Sequence, residues 1–487
     1  MPVPPAIRVT ISDPNKQAYE LAEEFLATKQ NEILYKAPLF YRRVVNHYEP
    51  YIRIEELKVE IFSFLYGIGY KSQLTERTAL NILTCIKGKQ SIPNNNKSSF
   101  WIDRESDNQY IPLKNALLDL SKFLSTGEIE LIEHSPMFFS PYELPFEYDP
   151  NAKCPTFIKI LETSLPDKET QKFILMWFAY NLILDNSHEI FVVFIGNGLN
   201  GKSLLLLILR LLLGEQNYSS VPLEDFTRNK RFALQQTIGK NANIVGEVSD
   251  NVRFPEAELK SFISGEPFSI ERKFQDPINE KPTARITVAC NNHPYFRDSS
   301  DGIWRREVLI PFDKTIPKEE INRQYSDEEF WLNNGELPGI FNLVLEALKE
   351  LHDTGQFIIP QKSIIAKEQY RSELNPIATY LRLNLEYDPS GEIPTCELSS
   401  AYDRYCEQHG IKKVSSAILG REIKKIFPQA RHGHAKYIPL YRFRSRIWKG
   451  LKFIEESDTD NTATLVSNEL ESNSPVQPVA SGKNSDD

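Results

Sequence analysis

FVVFIGNGLNGKSLLLLILRLLLG, residues 191–214, decides the fold. Its first five residues are apolar, β-branched in part and closed by glycine, which predicts a buried strand of a parallel sheet. GNGLNGKS at 196–203 matches G-x-x-x-x-G-K-[ST] at every fixed position. Residues 204–213 are almost wholly apolar and stop at Gly214, the pattern of a buried helix with a glycine C-cap. Strand, glycine-rich turn and helix together are the context in which that motif binds a nucleoside triphosphate. Glycines allow the backbone to bend so that successive N–H groups point at one phosphate cluster, and the helix N-terminus adds partial positive charge. Gly196, Asn197, Gly198, Leu199, Asn200, Gly201, Lys202 and Ser203 are therefore the expected ATP site. Lys202 is expected on the β- and γ-phosphates and Ser203 on Mg²⁺.

The bulk properties narrow the class. A chain of 487 residues is expected to form several domains, and 41% apolar with 25% charged residues is ordinary for a globular protein. A net charge of −9 argues against a chain that is basic throughout and leaves local basic clusters open. The five cysteines are scattered without a C-x-x-C pair, which points to reduced thiols, a cytosolic setting and no zinc site. No signal-peptide pattern opens the sequence, and the most apolar window, 204–213, is too short to span a bilayer. No membrane association is expected, and the prokaryotic host cytosol is the expected location.

From Gln17 to Gly67 the pattern is helical, and 75–87 adds another helix. Short strands joined by turns are expected over 99–134, and 136–155, rich in proline and aromatic residues, is expected to be an ordered connector. Neither stretch carries the paired acids a primase polymerase site needs. Residues 156–186 give two helices. Past the glycine-rich turn, Ile244 and Val245 form a second short strand with Glu247 at its carboxyl end, where an acid can orient Mg²⁺ and activate water; Asp250 is a second candidate. FPEAELKSFISG is a helix leading into EPFSIERKFQDPI, a hairpin with Arg272 and Lys273 near its tip beside Phe274, suited to the phosphates and bases of a single strand. ARITVACNN (284–292) is a third strand ending at Asn292, an amide that can hold the attacking water or the γ-phosphate. GIWRREVLIPF (302–312) places Arg305 and Arg306 before a fourth strand, where an arginine can reach a neighbour's nucleotide.

Taken in this order, these stretches resemble a superfamily 3 helicase of the kind found in DNA viruses, phages and plasmids. GNGLNGKS looks like its Walker A motif and NIVGEV its Walker B. ELKSFISGEPFSIERKF looks like the DNA-contacting hairpin segment, ITVACNNHP motif C, and GIWRREVLIPF the arginine-finger segment. IPLKNALLDL (111–120) and LPFEYDPNAKCPTFIKIL (144–161) resemble the domain preceding the helicase core in phage and plasmid primase–helicases and poxvirus-type NTPases. In place of a second Walker B acid, Gly246 precedes Glu247. The resemblance implies a hexameric ring around DNA, ATP between subunits, a finger supplied in trans, and hairpins in the channel travelling 3′ to 5′.

The C-terminal part changes character. Residues 316–352 look helical, and 358–376 reads as a connector with a helix. ATYLRLNLE, LSSAYDRYCEQHG and SSAILGREIKKIFP are three amphipathic helical stretches, followed by a strand-like stretch; three helices and a terminal hairpin resemble a winged-helix module. Positions 412–449 hold eleven Lys or Arg against one acid, Glu422. Such a basic face interleaved with aromatic residues is the footprint of nucleic-acid binding, with Arg421, Lys424 and Lys425 placed to address duplex DNA. His432 and His434 are expected on the wing. From Glu455 the chain is acidic, poor in aromatics and expected to be disordered.

The expected fold is thus α/β: a P-loop AAA+-like ATPase core with an N-terminal mainly helical domain and a C-terminal winged-helix-like domain. Its expected boundaries are 1–99 for the N-terminal helical region, 100–155 for a strand-rich connector, 156–355 for the ATPase domain, 370–453 for the winged-helix-like domain and 454–487 for the tail. The expected activity is that of an ATP-dependent DNA helicase acting in replication of a mobile element, with Lys202, Glu247, Asn292, Arg305 and Arg306 as catalytic residues. One rival is a DNA-binding initiator that uses ATP only as an assembly switch; another is a small-molecule kinase, which leaves the basic C-terminal face without a purpose.

Overall fold

The computed structural model describes residues 17–30, 32–51, 53–70, 74–93, 99–227, 232–246, 248, 255–272, 275–293, 301–434 and 446–454. The chain forms two compact units, 1–367 and 368–487.

The first unit opens with α1 (Ala18–Thr28), then β1 (Ile33–Lys36), β2 (Leu39–Val44) and β3 (His47–Pro50), then α2 (Ile54–Gly67) and α3 (Glu76–Lys89). The helical reading of 17–67 is corrected here: β1, β2 and β3 form an antiparallel sheet in the order β1-β2-β3. Ile33, Tyr35, Phe40 and Tyr48 are the aromatic and β-branched types that favour a half-buried pleated surface. Tyr35 faces Phe40 across the first pair, with ring centroids 4.8 Å apart. The three helices enclose their own core around Leu21, Phe25, Leu57, Ile61, Ile82 and Ile86.

Short strands follow as expected: β4 (Phe100–Trp101), β5 (Tyr110–Pro112), β6 (Leu117–Asp119), then α4 (Leu120–Thr126), β7 (Leu131–Ile132) and β8 (Phe138–Phe139). The helix α4 is an addition to the strand reading. Asp119 caps it by accepting from Lys122 N at 2.9 Å, and Gly127, at φ +78°, ends it. The connector 136–155 packs closely: Phe146 meets Phe341 at 5.3 Å, and Pro145 lies 3.2 Å from where a Cβ on Gly214 would sit.

Next come α5 (Pro155–Ser164), α6 (Lys168–Asn181), β9 (Phe191–Ile195), α7 (Lys202–Leu213), β10 (Tyr218–Ser219), β11 (Ala242–Val245), α8 (Glu256–Ile263), the hairpin β12 (Phe268–Arg272) and β13 (Gln275–Glu280), β14 (Arg285–Cys290), α9 (Asp301–Trp304) and β15 (Glu307–Pro311). Five strands make one parallel sheet in the order β10-β11-β14-β9-β15. Phe191, Val192, Val193 and Phe194 are fully buried, which is why β9 reads as a continuous apolar run. β9 lies between β14 and β15, both later in sequence, so the crevice where ligands enter such sheets opens at its carboxyl end. Trp177 of α6 donates to Thr287 Oγ1 at 3.0 Å, fixing that helix on the sheet centre.

The unit closes with α10 (Glu328–Asn333), α11 (Glu336–Thr354) and the first half of α12 (Gln361–Leu374). Glu336 accepts from the backbone N–H groups of Thr156 and Phe157 at 3.2 and 3.0 Å, capping α5 from a distant helix. β15 is an edge strand, and α12 covers its edge: Ser363 Oγ donates to Leu309 O, and Lys367 Nζ to Glu307 O at 2.9 Å.

The second unit holds α13 (Pro376–Asn384), β16 (Leu385–Pro394), α14 (Thr395–His409), α15 (Ser416–Ile426), β17 (Arg431–His434) and β18 (Arg446–Phe453). The three expected helices are present, and β17 pairs with β18 as the expected terminal pair. β16 is a further strand that the helical reading of its first residues missed; it pairs with β18, giving the order β16-β18-β17. Leu381, Tyr402, Leu419, Ile423, Trp448 and Leu451 form the core. Among the described residues no helix is long and apolar enough to cross a membrane.

Candidate functional site

The turn between β9 and α7 is shaped by glycine where the chain needs it. Gly196 has φ +153°, and a Cβ there would stand 2.5 Å from Phe312 O. Gly201, at φ +92°, caps α7, and a Cβ there would collide with Ser164 Oγ. Any larger residue at either position forces backbone or buried side chains apart.

The turn is also clasped from outside. Asn200 Nδ2 donates to Asn197 O at 2.5 Å and to Phe312 O at 3.2 Å, and Ile316 N donates to Leu199 O at 2.8 Å. The segment leaving β15 therefore holds the turn open. Sequence reasoning missed this clasp, because nothing local marks Phe312 or Ile316.

Lys202 is buried at 6% exposure, and its Nζ donates to Gly196 O and, at 3.2 Å, to Asn200 Oδ1. Both partners are neutral oxygens. Burial pushes its pKa below the ordinary lysine value, with the Cys290 thiol a smaller opposing influence. Ser203 beside it is exposed, and Ser164 Oγ, buried at the base of the turn, has no hydrogen-bond partner among the described residues. A buried cation with neutral partners, the N–H groups of a helix start and an exposed hydroxyl are groups of the kind that can cradle a polyanion.

Asn291 and Asn292 follow β14 and are exposed. β11 runs to Val245 as expected, and Gly246 follows it; Glu247 and Asp250 lie outside the described residues, as do Lys273 and Phe274. Arg272 ends β12, paired in register with Gln275, and is only 9% exposed, so it is not the projecting cation expected at the hairpin tip.

The two arginines before β15 have different surroundings. Arg305 is exposed, whereas Arg306 is 9% exposed and tied within its own chain. Its guanidinium donates to Glu189 Oε2 at 2.7 Å, to Ser264 Oγ at 2.7 and 3.2 Å, and to Gly302 O at 2.8 Å. Both stand at the amino end of the sheet, since Glu307 pairs with Phe191 while Pro311 pairs with Ile195.

In the second unit, Arg421, Lys424 and Lys425 are all exposed on α15. Lys425 pairs with Glu422 at 2.7 Å. The His432 ring lies against Trp448, tilted by 35° with centroids 3.8 Å apart, and its pKa is lowered by partial burial and by the nearby charges of Lys424 and Arg446.

Comparison with known proteins finds similarity to viral proteins. Residues 73–166 match the family described as D5 N terminal like, and residues 194–306 a family of unknown function, DUF5906. A protein of Acanthamoeba polyphaga mimivirus named Putative helicase L207/L206 is 29% identical over 178 residues, 34% of this chain and 18% of that one. Putative helicase 184R of Invertebrate iridescent virus 6 is 22% identical over 381 residues, 68% of this chain and 37% of that one. The chain thus spans well under half the length of either relative. The apo structure of the NrS-1 C-terminal region shares the mixed α/β fold with its parallel sheet, at a TM-score of 0.53 and 14% identity, covering 89% of this chain and 99% of that one.

Proposed function

We propose that this chain is an ATP-driven DNA helicase of the superfamily 3 type, acting in replication of a virus, phage, plasmid or other mobile element. The observation that carries the reading is the cradle at the carboxyl end of β9, with Lys202 buried among neutral oxygens. A triphosphate supplies the missing negative charge. Lys202 holds its β- and γ-phosphates, the N–H groups of the turn and of α7 orient them, and the Ser203 hydroxyl is a ligand for Mg²⁺, which neutralises phosphate charge when bound. Asn292 and Glu247 keep the roles of γ-phosphate contact and water activation.

Arg305 is the finger in this reading, and it acts on a neighbouring subunit. Arg305 lies in the turn before β15, and β15 itself, Glu307–Pro311, covers about 13 Å, so this reading takes the finger from a neighbouring copy. A site completed between copies implies a ring, with six subunits as the expected number and the β12–β13 hairpin facing the threaded strand. The helices and sheet of the second unit support a winged-helix-like module in which Arg421 and Lys424 meet duplex phosphates. The family matches and the names of the viral relatives support the same reading. A strand-displacement assay on forked DNA tests it: unwinding that needs ATP and Mg²⁺ is expected, and ATP-dependent assembly without unwinding on either polarity of fork overturns it in favour of an initiator switch.

A further inference from the structure

The residues flanking Arg305 are engaged on both sides. On one side, Arg306 closes a triangle: it donates to Ser264 Oγ and Glu189 Oε2, each at 2.7 Å, and Ser264 Oγ donates to the same Glu189 oxygen at 3.1 Å. Ser264 is the C-cap of α8, four residues before the hairpin strand β12 begins. On the other side, the Glu307 carboxylate, its side chain fully buried, lies 3.0 Å from His293 Nε2. The His293 ring lies nearly parallel to Trp304, at 18° and 5.8 Å. His293 is the residue after Asn292. Residues 304–307 therefore grip the neighbour of the proposed γ-phosphate contact and the root of the proposed DNA hairpin at once.

The Arg306 hydrogen bonds to Glu189 and Ser264 are short and charge-assisted, the buried His293 and Glu307 side chains pack against each other at 3.0 Å, and a close-packed interior passes displacement on instead of absorbing it. We infer that the α9–β15 junction is the mechanical link between nucleotide and hairpin. His293 and Glu307 couple it to Asn292, and Arg306, through Ser264 and Glu189, couples it to α8 and β12. Arg306 is in this account a positioning residue, and Arg305 alone reaches out. The inference rests on the helicase reading above.

The test measures ATP turnover with and without a single-stranded oligonucleotide. Ser264→Ala removes the hydroxyl that joins the triangle and leaves the Arg306–Glu189 pair in place. DNA-free turnover and the KM for ATP should stay at the wild-type values, while stimulation by DNA falls about fivefold, the scale on which positions along a coupling network act. Ser264→Thr should restore it. Glu189→Gln, which keeps an acceptor, gives an independent reading if Ser264→Ala folds poorly, and should likewise lose stimulation selectively. Loss of basal and stimulated rates in the same proportion, or of neither, in both variants overturns the link and leaves the helicase reading standing. Wild-type turnover that ignores oligonucleotide overturns the helicase reading itself, and the link with it.

Discussion

The two ends of the parallel sheet hold buried cations in opposite ways. At the carboxyl end, Lys202 is buried with neutral oxygens as its hydrogen-bond partners among the described residues, and burial lowers its pKa. At the amino end, Arg306 is buried to a similar degree but faces the Glu189 carboxylate and the Ser264 hydroxyl. The first arrangement has no counter-charge among its described hydrogen-bond partners, whereas the second has one within the same chain. Burial of a cation therefore does not by itself mark a binding site; the charge of its partners separates a site from a strut.

This contrast is broken most directly at its first term. Lys202→Ala should reduce ATP hydrolysis by about 1000-fold, the upper range for removing one preorganised charge-stabilising group, measured as phosphate release. Unchanged turnover would show that the carboxyl end is not the site. Arg305→Ala comes next, with turnover lowered about 100-fold on the same grounds and a melting temperature equal to that of the wild type, because the exposed side chain carries no fold. Arg306→Met should do the reverse in kind: urea denaturation should show a loss of about 2 kcal/mol. That is below the range for a fully buried pair, since the Glu189 side chain is 46% exposed. An Arg306→Met protein of wild-type stability would remove the distinction between the two arginines.

The smallest effects are expected in the second unit, where the same contrast recurs on the surface. Arg421→Ala and Lys424→Ala should each weaken duplex binding and lower the slope of log affinity against log salt by about 1. Lys425→Ala should do less, because Glu422 already shares its charge at 2.7 Å. Equal effects at all three would mean that the surface pair does not persist in solution.

What was legible in the sequence follows the same division between local and distant causes. β9, its turn and α7 were readable because strand, glycine spacing and apolar helix lie within 24 consecutive residues. β11, β14 and β15 were readable as apolar runs buried on both faces, and the helices of the second unit by their amphipathic period. β1, β2 and β3 were lost inside a helical pattern because Ile33, Leu34 and Tyr35 suit a helix face as well as a strand, and only pairing with 39–50 decides between them. α4 left its signal in Asp119 and Gly127, which the strand reading passed over. The unlike roles of Arg305 and Arg306 were not legible at all: the partners that fix Arg306 lie 42 and 117 residues away along the chain. Ser164 beneath Gly201 and the clasp from Phe312 and Ile316 escaped for the same reason.

The central claim is that the nucleotide cradle of one copy is completed by Arg305 of another. An equimolar mixture of Lys202→Ala and Arg305→Ala proteins tests it, since each variant alone is strongly impaired but their shared interfaces would pair an intact cradle with an intact arginine. The account predicts ATP turnover in the mixture well above that of either variant alone. Turnover no higher than the average of the two, beside a wild-type rate per molecule that is unchanged on dilution to the monomer, would contradict it.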